Sequence, residues 1–174
     1  MQIAKNILLV RPSNFVFNSE TAVSNAFQKE VKESEEAIKQ KVLKEFEKFV
    51  ITLKSKGVNV FVFDDTQYPE KPDAVFQNNW ASFHSDGTVI LYPMFAPNRR
   101  HERRQDIIDS LKKNFKITHT LDLSAYESEN RYLEGTGSIV FDRQNKIAYA
   151  CLSPRTDKEL FNEVCDYLHY KPVC

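Results

Sequence analysis

VILYPMFAPNRR, from Val89 to Arg100, and IAYACLSPRT, from Ile147 to Thr156, follow one course: an apolar strand, a proline, an arginine, then the start of a helix. Pro97 and Pro154 stand 57 positions apart. Outward from these stretches, each is the second arm of a hairpin. Ala74 to Phe83 and Thr88 to Tyr92 flank Ser85-Asp86-Gly87, where glycine accepts the positive φ of a tight turn. Ser138 to Phe141 and Lys146 to Leu152 flank a turn over Asp142 to Asn145 in the same way. Helical periodicity follows both hairpins, from about Arg99 to Phe115, with Ile107, Ile108, Leu111 and Phe115 on one side, and from about Thr156 to Tyr170. A short strand near Lys116 to Thr118 closes the earlier unit. The sequence therefore predicts a repeated strand, strand, helix, strand unit in which neighbours share one core.

A first unit precedes these two. Asn6 to Val10 reads as a buried strand, and VNVFVF from Val58 to Phe63 as a central one, being β-branched and aromatic. Between them, Val31, Ile38, Val42, Phe46, Phe49 and Leu53 mark the apolar face of a helix from about Glu30 to Lys56, ended by Gly57. The alternation is that of a mixed α/β protein. Repeat units fall at about 1–66, 72–119 and 132–174 of a single domain. The first lacks its opening strand and the third its last, so the expectation is the N-terminal part of a cut ring of units.

The 174 residues suffice for one domain with a real core. Lysine plus arginine and aspartate plus glutamate balance at 24 each, which gives no general attraction to nucleic acid, membrane or acidic partners. Arginines of RRHERR are not interleaved with aromatic residues, which argues further against nucleic acid. No apolar run is long enough to cross a bilayer. Cys151, Cys165 and Cys174 form no CxxC pair, so a reducing cytoplasm is expected, and Cys165 shares a helical face with Phe161, Val164 and Leu168 as a packing residue. His84, His101, His119 and His169 lack metal-ligand spacing, so no metal is expected.

Three segments carry more chemistry than plain structure requires: PDAVFQNNWASFHSDG at Pro72 to Gly87, APNRRHERR at Ala96 to Arg104, and YLEGTGSIVFDR at Tyr132 to Arg143. With RPSNFVFNSETAVSNAFQ at Arg11 to Gln28 and AYACLSPRT ending at Thr156, they span almost the whole chain. In order and spacing the chain resembles the guanidino-group modifying superfamily of arginine deiminases, dimethylarginine hydrolases and amidinotransferases, nearest its citrulline-utilisation hydrolase branch. That resemblance implies a pentein-type α/β propeller of ββαβ repeats, here about three of five units.

It also implies chemistry. Glu134 of LEGTG matches the acid that holds the reacting group, and a carboxylate suits two N–H donors of a planar ureido or guanidino group. A turn glutamate with no such task is the alternative. Asp73 matches an aspartate for the ligand's amino group, and Phe76 a ring against its side chain. Asn79 stands where the related enzymes place an acid for the guanidinium, and Gly137 where they often keep another aspartate. Arg99 or Arg100, and Arg155, match positions that grip the ligand's carboxylate, whereas Arg103 and Arg104 read as a solvated first helical turn. The implied reaction is cysteine hydrolysis without an organic cofactor, its histidine and nucleophile lying beyond Cys174. A missing C-terminal portion or second chain is the expected partner, with a homo-oligomer left open. An amidinotransferase and a non-catalytic small-molecule binding protein with the same pocket are the alternatives.

Overall fold

The computed structural model describes residues 4–22 and 33–174, so the expected helix start at Glu30 and Val31, and the end of the motif that runs to Gln28, lie outside the described residues. The chain divides into two compact units.

One unit comprises residues 4–77 and 96–102. Strand β1 (Asn6–Arg11) pairs in parallel with β2 (Asn59–Asp64), from Asn6↔Asn59 to Arg11↔Asp64. Parallel neighbours need a crossover, and α2 (Glu35–Ser55) supplies it after the short α1 (Ser19–Ala22). Helix α2 starts where Ser34 Oγ accepts the Ala37 N–H at 3.3 Å, and it ends before Gly57, whose φ of 79° only glycine adopts easily. The helix turns Val50 inward and leaves Phe49 51% exposed, which corrects the expected apolar face at that position. Strand β2 is half-buried and not central, since among the described residues its sheet has two strands.

After β2 the chain turns back over a buried lysine. Lys71 Nζ donates to Thr66 O, Thr66 Oγ1 and Pro69 O at 3.0, 2.8 and 2.7 Å, and lies 3.3 Å from Asp65 Oδ1. An ammonium taken out of water needs such partners, and their supply fixes the loop that leads to Asp73.

The second unit, residues 78–95 and 103–174, holds two sheets of identical plan. In one, β3 (Ala81–Phe83) runs antiparallel to β4 (Thr88–Leu91), which runs parallel to β5 (His119–Asp122). In the other, β6 (Ile139–Asp142), β7 (Ile147–Ala150) and β8 (Lys171–Val173) repeat the order and senses. Helices α3 (Gln105–Lys112) and α5 (Lys158–Leu168) make the crossovers, and a single turn, α4 (Gly135–Ser138), precedes β6. The core joins Ile90, Tyr92, Leu133, Ile139 and Ala148 to Leu160, Phe161, Val164 and Cys165 of α5.

The repeat is thus present, with four corrections. The last unit does have its closing strand, because His169 adopts a left-handed φ of 57° that ends α5 and turns the chain into β8. The strand expected over Ala74 to Phe83 shrinks to its end, since Asn78 O bonds the Thr136 N–H at 2.9 Å instead of entering a ladder. The helix expected from Arg99 to Phe115 divides into a 3₁₀ segment over Pro97–Glu102 and α3, with Arg104 extended between them. Strand β5 begins at His119 and not Lys116, because Lys116 to Thr118 pass close against Gly87 before pairing starts. None of the helices in the described residues is long and apolar enough to cross a membrane.

Candidate active site

Within the second unit the charged centre is Glu134. Leu133, fully buried and bonded through its N–H to Pro93 O at 3.2 Å, anchors the chain just before it. Gly135 then passes so close to its neighbours that a Cβ there would lie 2.3 Å from Asn78 O and 2.9 Å from Asn79 O. These contacts bury Glu134 to 1% exposure. Its Oε1 accepts the Phe95 N–H at 3.1 Å, while Oε2 lies 3.4 Å from both Asn79 Nδ2 and Arg155 Nη1. A buried carboxylate needs such donors.

Three expected site residues, Glu134, Asn79 and Arg155, therefore meet in one cluster. The two departures from the superfamily pattern also meet there: a Cβ on Gly137 would come within 2.7 Å of Asn79 Nδ2. The carboxamide at 79 occupies the space that a side chain at 137 would enter. Beneath this cluster the buried Ser138 hydroxyl donates to Arg155 O, and the buried Thr156 hydroxyl donates to Ser138 Oγ. Sequence reading missed them, although a serine four residues after Glu134 and a threonine next to Arg155 were the available signals.

Asp73, Phe76, Arg99 and Arg100 lie in the first unit. Asp73 Oδ2 accepts from Asn18 Nδ2 at 2.8 Å and Thr21 Oγ1 at 3.2 Å, and Arg99 Nε stands 3.8 Å away. Arg99 is 3% exposed, and its Nε and Nη2 make the two-pronged contact with Glu102, at 2.8 and 2.9 Å, that fits a planar guanidinium to a carboxylate. Asn98 adds a bond to Asn18 Oδ1 at 2.8 Å. Asn18, Thr21 and Glu102 were not foreseen, since their partners lie dozens of residues away or in a segment read as a plain helix start. Phe76 leaves 47% of its surface exposed, and Arg100 is half-buried.

Arg103 was expected to be solvated, but it donates to both carboxylate oxygens of Glu127 and, at 3.2 Å, to Tyr92 O. Among the cysteines, Cys165 is fully buried, and burial pushes its thiol up to about 12, which suits packing and not attack. Cys151 and Cys174 are exposed. The described residues contain no group of three or more His, Cys, Asp or Glu that could hold a metal ion.

Comparison with known proteins adds a family. The sequence model of the family described as N,N dimethylarginine dimethylhydrolase, eukaryotic, matches residues 11–174. No curated protein matches the chain. Among solved structures, similarity extends to the N-terminal domain of ArgZ, an arginine dihydrolase from the ornithine-ammonia cycle in cyanobacteria, in a substrate-bound cysteine-to-serine mutant. That match has a TM-score of 0.69 at 20% identity and covers 97% of this chain and 56% of that one. A dimethylarginine dimethylaminohydrolase adduct with S-methyl-L-thiocitrulline matches with a TM-score of 0.66 at 16% identity, over 98% of this chain and 60% of that one. The enzyme of that kind from Pseudomonas aeruginosa, as a cysteine-to-serine mutant with citrulline, gives 0.64 at 16% identity, over 97% and 59%. The chain has their pentein-type α/β fold and spans a little over half the length of each of these three structures.

Proposed function

We propose, since the chain belongs to the N,N dimethylarginine dimethylhydrolase family, that it supplies the binding half of a hydrolase for the ureido or guanidino group of a citrulline- or arginine-like amino acid. The observation that carries this reading is the Glu134 carboxylate, buried to 1% exposure, with the Asn79 carboxamide and the Arg155 guanidinium both 3.4 Å from Oε2. A planar ureido group needs such an acceptor for its N–H pair. Asn79 both donates and accepts, which suits a neutral ureido group better than a cation. Asp73 is assigned to the amino group of the ligand, Phe76 to its side chain, and Arg99 or Arg100, with Arg155, to its carboxylate.

In this reading a cysteine thiolate attacks the central carbon and a histidine moves protons. Ammonia or an amine leaves, and water then releases the product. The buried Cys165 thiol does not suit that task; the chain spans a little over half the length of the structures it resembles, and the thiolate and histidine are assigned to the remainder, in a further segment or second chain. The repeat units at about 1–66, 72–119 and 132–174 belong to one domain, and the unpaired cysteines favour a reducing cytoplasm.

Titration calorimetry of the 174-residue chain with L-citrulline and L-arginine tests the proposal. Citrulline is expected to bind, Glu134→Gln to weaken it at least about tenfold, and Asn79→Asp to shift preference toward arginine. Absence of binding, or a Glu134→Gln protein with unchanged affinity, removes the assignment. An Asn79→Asp protein with unchanged preference removes only the argument for a ureido group.

A further inference from the structure

Beneath the Glu134 cluster lies a set of hydroxyl groups whose protons have only one possible order. Ser138 Oγ receives the Glu134 N–H at 3.0 Å and lies 2.8 Å from Arg155 O. A carbonyl oxygen can only accept, so the single Ser138 proton goes to Arg155 O. Thr156 Oγ1, 2.9 Å from Ser138 Oγ, must then be the donor in that contact. Its proton is now used, so Ser153 Oγ, 3.2 Å away, must donate to Thr156. Ser153 Oγ in turn accepts the Arg155 N–H at 3.2 Å. The chain of hydroxyls therefore leaves Arg155 at its N–H and returns to Arg155 at its carbonyl, and the Glu134 N–H enters at Ser138.

This circuit ties together the backbones of the two residues whose side chains meet at 3.4 Å. Ser138 fixes Glu134 from both sides, because its own N–H also donates to Glu134 O at 2.8 Å. Ser138 and Thr156 are 8% and 4% exposed, so water cannot readily replace a lost partner. We infer that Ser138 and Thr156 are positioning residues that set the Glu134 carboxylate against the Arg155 guanidinium and so determine ligand affinity. The inference rests on the functional reading above for what is positioned, and on the hydroxyl order alone for how.

Thr156→Val keeps shape and removes the hydroxyl, whereas Thr156→Ser keeps the hydroxyl and removes a methyl. In the 174-residue chain, citrulline affinity measured by calorimetry is expected to fall about tenfold in Thr156→Val and to stay within about twofold of wild type in Thr156→Ser. Ser138→Ala is expected to follow Thr156→Val. Equal affinity in wild type and a folded Thr156→Val protein overturns the inference, whatever happens to its Tm. Amide hydrogen exchange supplies a readout that needs no ligand. The Glu134 and Arg155 amides are expected to lose protection in Thr156→Val and keep it in Thr156→Ser. If wild type binds no citrulline, the functional reading fails. The positioning role is then judged on exchange alone, and unchanged protection in Thr156→Val overturns it.

Discussion

Two glycines two residues apart separate what the fold requires from what the site requires. Gly135 has a φ of 21° and faces backbone atoms that cannot move aside, Asn78 O and Asn79 O. Gly135→Ala is therefore expected to destabilise the chain by about 3 kcal/mol or more, measured by urea unfolding. Gly137 faces the tip of a side chain, Asn79 Nδ2, which can swing away. Gly137→Ala should change stability by no more than about 1 kcal/mol while it weakens citrulline binding by displacing the carboxamide. If the two variants lose the same stability, the distinction is wrong. A second residue-scale prediction concerns His84. Arg143 can only donate to Nδ1, at 3.4 Å, so Nε2 carries the proton toward Ser82 Oγ at 2.8 Å, and Ser82 meets the Tyr92 hydroxyl at 2.8 Å. Burial first, and the Arg143 cation second, push this imidazole down to about 4, with Lys146 acting in the same direction and Asp86 against. The folded value lies below the unfolded one, so as pH falls from about 6.5 to about 4 the unfolded chain gains a proton that the folded chain refuses, at a cost of about 3 kcal/mol. Below that window His84 adds no further loss. His84→Gln should flatten this part of the pH–stability curve relative to wild type, and parallel curves for the two proteins would count against it.

Helices α2 and α5 show how far periodicity alone carries an element. In α5, Leu160, Phe161, Val164 and Cys165 are fully buried, as their spacing required, and Asp157 caps the helix by accepting the Leu160 N–H at 2.8 Å. In α2 the period was right but the stripe was too wide. Phe46 is half-buried and Val50 buried, while Phe49 points away. Both phenylalanines, 49 and 161, looked alike in the sequence. Phe161→Ala should cost about 3–5 kcal/mol in denaturant unfolding, because it leaves a cavity, and Phe49→Ala less than about 1 kcal/mol. A comparable loss in the two would mean that the helix faces are misassigned.

At the scale of the whole molecule, the two sheets of identical plan are not equally covered. Ile90 is fully buried in its sheet between Ser82 and Leu121, its partners on β3 and β5. In the sheet of β6, β7 and β8 the matching row is Val140, Tyr149 and Val173, exposed by 62, 42 and 41%. Replacing Val140 and Tyr149 by lysine should reduce binding of a hydrophobic dye while Tm changes by only a few degrees, since little buried area is lost. Unchanged dye binding would show that the row is not an exposed apolar surface. The ββαβ repeat and the apolar stripe of α5 were legible in the sequence, because each depends on local spacing, whereas Glu134, Asn79 and Arg155 were singled out by the family resemblance. Other features were legible in neither way. The burial of Arg99 against Glu102, the pairing of the half-buried Arg103 with Glu127, and the closing strand β8 emerged only from the tertiary structure. So did the hydroxyl circuit of Ser153, Thr156, Ser138 and Arg155. The physical reason is that spacing determines which face of an element a residue occupies, while a partner for a buried polar atom is chosen by whatever the fold brings within about 3 Å of it.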